Sequence, residues 1–193
     1  AKIINHFSLS HGAFWFIQPE WATDKHKFTE NLSTLERELQ RSKDEFIKEH
    51  CVKYGEEGYP PAWKILELAS FGCLTKLYFN FADTGIKKKI ARSYGVPQHE
   101  MLESWMKAVN ALRNACAHHE RIWNRAMPVI PQLPSTLRNA WIADKPQMTN
   151  RFYAVFCCLI YWLNAIEPEN SLVRDFKFLL QKFPNVDTSA MGF

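Results

Sequence analysis

The stretch from Gln98 to His118 reads QHEMLESWMKAVNALRNACAH and follows Pro97, which restarts the chain. Its pattern is that of one long helix. On a wheel of 100° per residue, Trp105, Val109, Leu112 and Cys116 fall within about 60° of one another and form an apolar stripe. Glu103, Lys107, Asn110, Asn114 and His118 gather roughly opposite, provided that the helix runs on. Arg113 stands on the flank, roughly 80° from the stripe. The same wheel carries His119 back to the margin of the core, so the adjacent histidines are expected to differ.

The same period recurs on both sides. Phe28, Leu32, Leu35, Leu39 and Phe46 make one stripe within about 60°, read as a single helix with Glu36, Arg37, Glu38, Lys43 and Asp44 on its solvated face. Gly55, Gly58, Pro60 and Pro61 break it, and Pro61 suits the first turn of a helix from Ala62 to Leu68. Gly72 marks a close approach or kink before a helix over 74–81. Thr84 is expected to cap a short basic helix ending at Tyr94-Gly95. Pro128, Pro131 and Pro134 make an irregular segment, followed by helices over 149–166 and 171–183. The expectation is one all-α domain spanning residues 1–193.

Composition agrees. The 193 residues are 47% hydrophobic and 14% aromatic, which excludes global disorder. Seven glycines and little β-branched alternation argue against a sandwich or barrel, and no Gly-rich turn follows a strand-like run. A net charge of +4 permits a nucleic-acid partner without arguing for one. Cys51, Cys73, Cys116, Cys157 and Cys158 are an odd number with no C-x-x-C pair, so buried, reduced thiols in a cytoplasmic protein are expected. Ala1 stands where an initiator Met would, and the natural protein is expected to extend upstream. The run 152–166 falls short of the ~20 apolar residues that span a bilayer and reads as a core helix, with no membrane partner.

Chemistry concentrates in LRNACAHHERIWNR, residues 112–125. Asn114 and His118 are four apart and share a helix face. Arg113 lies about 7.5 Å along the axis from His118, within reach of its own long arm. A guanidinium matches phosphate oxygens bidentately, and an imidazole exchanges protons near neutrality. The amide can orient the imidazole or bind a 2′-hydroxyl. On RNA, such a set would activate the 2′-OH and leave a 2′,3′-cyclic phosphate. The structural alternative is a surface ion site or helix cap. His119-Glu120 begins like H-E-x-x-H but ends in Trp123, so no metal is expected. His6, His11, His26, His50 and His99 are scattered, expected as surface or satisfied core residues.

The string resembles the signature of the Abi-like (abortive infection, AbiD/AbiF type) family of the HEPN superfamily. HGAFWF at 11–16, PPAWKILELASFGCLTKLY at 60–78 and IARSYGV at 90–96 resemble it in the same order. The resemblance reaches about Pro128 and implies a helical bundle, a homodimer, and a metal-independent ribonuclease using Arg-x4–6-His. Arg113, Asn114 and His118 match that pattern as catalytic residues, with no cofactor. His119 fits a five-residue spacing, but the wheel turns it toward the core. Some such toxins carry a Tyr two residues after the His, which a partner modifies; here Glu120 stands there. RNA is the implied partner, and an inhibitory RNA or protein is a further one; Arg121, Asn124 and Arg125, close after the motif, are read equally as RNA contacts and as members of structural ion pairs. Lys87, Lys88, Lys89 and Arg92 are read first as a solvated helix face and second as an RNA track. Trp123 is read as a core or interface residue before a base-stacking one. Two rival functions stay open: a non-catalytic RNA-binding relative, and a helical interaction protein. A small all-α site offers no base code that sequence alone can read.

Overall fold

The computed structural model describes residues 1–55, 58–134, 137 and 150–193. Those residues are all-α, with nine α-helices, three short 3-10 turns and a single isolated bridge between Ala22 and Phe81. They divide into two compact units, Ala1–Ile90 and Ala91–Phe193.

The first unit opens with α1 (Lys2–His11), a helix that periodicity does not announce because only Ile3 and Phe7 are buried on it. Phe7 packs against Trp15 and Phe81 with ring centroids 4.7 and 4.1 Å away, making an aromatic core. Asp24 starts α2 (Lys25–Arg41) by accepting the Lys27 N–H at 3.1 Å. The stripe expected to run on to Phe46 does not belong to one helix. The backbone turns extended at Ser42 and Asp44, and α3 (Glu45–Tyr54) begins afresh. The cause is local competition: Ser42 Oγ donates to Asp44 at 2.9 Å and accepts the Asp44 N–H at 3.2 Å, offering the backbone an alternative to the helix.

Pro61 is the N-cap of α4 (Ala62–Ile65) rather than a member of its first turn, and α4 stops short of Leu68. Ser70 accepts the Cys73 N–H at 3.1 Å and starts α5 (Phe71–Asn80) earlier than expected, placing Gly72 inside its first turn rather than at a kink before it. The cap of α6 (Thr84–Ser93) is Asp83, not Thr84, since its carboxylate accepts the Ile86 N–H at 3.1 Å.

In the second unit α7 (His99–Ala117) and α8 (Phe152–Ile166) pack together, and α9 (Leu172–Lys182) follows. Leu102, Trp105, Met106 and Ala108 of α7 are wholly buried. Trp105 meets Tyr161 of α8 edge-on at 5.6 Å and donates its indole N–H to the Gln132 carbonyl at 2.7 Å. The expected α8 start at Thr149 lies outside the described residues. α9 closes where expected, capped by Ser171 and Phe183. No described helix is long and apolar enough to cross a membrane. All five thiols are free, but only Cys73, Cys157 and Cys158 are buried, and Cys116 is exposed.

Candidate functional site

The site lies where α7 runs out of core. Ala108 and Leu112 pack with Met127 and Val155, and Val109, Ile122 and Phe152 close over them. No apolar neighbour covers the last turn as fully, so Arg113, Asn114, Cys116 and Ala117 are exposed. Cys116 therefore leaves the stripe to which the wheel assigns it. A stripe is buried only as far as other elements cover it.

Beyond Ala117 the chain makes a Schellman turn. His118 is the C-cap, with its N–H on the Asn114 carbonyl at 2.9 Å. The His119 N–H reaches the Cys116 carbonyl at 3.1 Å, and the Glu120 N–H reaches Ala115 at 2.9 Å. His119 takes the left-handed position of that turn, at φ 54°, and both histidines are exposed. The expectation that His119 sits at the core margin is thus overturned, because the wheel presupposes helical backbone and the helix has already ended. Glycine usually fills this position; an L-residue there costs about 1–2 kcal/mol.

Arg113 Nη1 donates to Asn114 Oδ1 at 3.2 Å. Arg113, Asn114 and His118 thus stand on one exposed helix end, the first two joined by that hydrogen bond.

Between this helix end and the following loop lies a cavity of about 210 Å³, with Ala111, Ala115 and Ile122 on its apolar side and Asn114, Glu120 and Arg125 as its polar groups. Arg125 and Glu120 form an ion pair, and both are partly exposed. Of the other candidate RNA contacts, Arg121 is exposed, whereas Asn124 is half-buried and its carbonyl accepts from Arg151 at 2.8 Å. Trp123 is 39% exposed, with its indole N–H on the Asp187 carbonyl at 3.0 Å, so it is a pinned surface ring rather than a core residue. Sequence reasoning misses Glu120 as a lining residue. The only signal was its spacing of five from Arg125, which no helical or strand period turns into a contact.

The basic run is not one solvated face. Lys87 is buried, and its ammonium donates to the Phe79 carbonyl at 2.8 Å and sits 5.4 Å from the Tyr78 ring centroid. Lys88, Lys89 and Arg92 are exposed. Among the described residues no three His, Cys, Asp or Glu side chains converge as a metal-ligand set.

Comparison with curated proteins and with solved structures finds no match. Comparison with protein families matches one, the Abi-like proteins, over residues 1–124, which include all of α7 and the histidine turn. By that match the chain belongs to the Abi-like protein family.

Proposed function

We propose that the chain is a metal-independent endoribonuclease of the HEPN type, working in the cytoplasm as a homodimer, with Arg113, Asn114 and His118 as its catalytic set. Abi-like membership suggests abortive infection, a phage-defence or toxin-like role in which cutting RNA halts the host. The observation that carries the chemistry is the exposure of these three side chains together at the end of α7. A residue that merely tied helices together would be buried against its partner. Arg113 holds the scissile phosphate and stabilises its growing charge, and Asn114 steadies the guanidinium through their hydrogen bond. His118 takes the proton from the 2′-OH as the 2′-oxygen bonds to phosphorus. The bond from phosphorus to the 5′-oxygen breaks, that oxygen gains a proton, and a 2′,3′-cyclic phosphate remains. Two proton transfers fall to one imidazole per chain, which favours a site shared between two copies. An inhibitory RNA or protein is the expected restraint on such an activity.

The test is cleavage of RNA by the purified protein in chelator, with end-group analysis. His118→Ala should lower the rate about 10²–10⁴-fold and leave the melting temperature unchanged, since the side chain is exposed. Full activity in that variant, or activity abolished by chelator, would sink the mechanism.

A further inference from the structure

Resting on that reading, we propose that the cavity beside Asn114 holds one nucleobase of the RNA next to the scissile phosphate, and that it is built for guanine. One wall of the cavity is Asn114, a member of the catalytic set, so whatever fills it lies against the reacting phosphate. Its volume of about 210 Å³ leaves room for a single ring system beside the helix end. Ala111 and Ala115 leave that room, because each is a small residue on the face of α7 turned toward the loop. Ile122 and Met127 offer apolar surface for the flat face of a base.

The polar edge selects among bases. Glu120 is acceptor-only when ionised and presents two oxygens, one of them engaged by Arg125. The Arg125 guanidinium has five N–H donors, of which the pair with Glu120 uses one. A ligand must therefore bring adjacent donors for the carboxylate and an acceptor for the guanidinium. Guanine does so, with N1–H and the exocyclic N2–H₂ beside O6. Uracil, cytosine and adenine each offer only one donor group, so none presents two adjacent donors to the carboxylate.

The test uses fluorescence anisotropy with short RNAs that differ in one base beside a 2′-O-methyl-blocked site, so binding is read without cleavage. The guanine oligonucleotide should bind about 10–100-fold tighter than its adenine, cytosine and uracil counterparts, the span of one good bidentate base contact. Glu120→Gln should reduce that preference, and Ala115→Leu, which fills the cavity from a half-buried position on α7, should abolish it while the helical circular dichroism stays unchanged. Equal binding of all four oligonucleotides, or a preference that survives both substitutions, would overturn the proposal. Cleavage assays on unblocked RNA separate the two ideas: cutting without base preference rejects the pocket and keeps the nuclease, and preferential binding without cutting does the reverse.

Discussion

His119 holds its backbone at φ 54° in the turn that ends α7, with its side chain in solvent. Relief of the left-handed cost, about 1–2 kcal/mol, outweighs the extra entropy of glycine in the unfolded chain, about 0.5–1 kcal/mol. His119→Gly should therefore stabilise the protein by about 0.5–1 kcal/mol, read as a raised midpoint in urea. A loss of stability would mean that the ring makes a contact worth more than the strain. At this scale the sequence places Asn114 on the polar face, where it is exposed, since that depends only on spacing inside the helix, and leaves Arg113 on the flank. It misplaces His119 and Cys116, whose positions depend on where the helix stops and where its cover ends.

Helix ends carry the next set of consequences. Lys87 lies inside α6, yet its ammonium caps a carbonyl at the C-terminal end of α5, where the helix dipole favours a cation. Lys87→Met should cost about 1.5–3 kcal/mol, the range for a hydrogen bond to a charged group, whereas Lys88→Ala and Lys89→Ala should stay within about 0.5 kcal/mol. Equal effects at all three positions by thermal melting would contradict the buried cap. Asp83 joins α1 to the start of α6, accepting the Ile86 N–H at 3.1 Å and pairing with His11 at 3.1 Å. Burial opposes its charge, but the Ile86 N–H, the His11 ring and the Gly85 N–H outweigh burial and hold its pKa below the usual carboxylate value. A depressed folded pKa contributes stability that is present above the unfolded value, about 3.9, and is lost as pH falls through the folded one. Asp83→Asn should thus destabilise at pH 6 and destabilise less at pH 3, measured by denaturant melts at both. A deficit that grows on acidification would reverse the sign. Period alone tells which residues of an element face inward; it does not tell which neighbour's carbonyl waits there.

For the whole molecule the consequence is assembly. A single Arg113–His118 pair per chain, exposed at a helix end, leads to the expectation that two copies bring their motif faces together across a two-fold axis. Sedimentation of the intact protein should show a dimer at micromolar concentration, and cleavage should fall on dilution below the dissociation constant. A strict monomer with full activity would refute the shared site.

By itself the sequence determined the all-α class, the bounds of α7 and α9 to within a residue or two, and the polar-face positions of Asn114 and His118; it left Arg113 on the flank. These follow from period, caps and breakers, which act within a few residues along the chain. It overran α2, because Ser42 and Asp44 turn the backbone by a bond that leaves the apolar spacing intact. Only the tertiary structure decided that Lys87 is buried, that Cys116 lies outside the core, and that Asn114, Glu120 and Arg125 share a cavity. Burial and cavities belong to the space between elements: whether a side chain is covered depends on residues such as Met127 and Val155, which no spacing along α7 can specify.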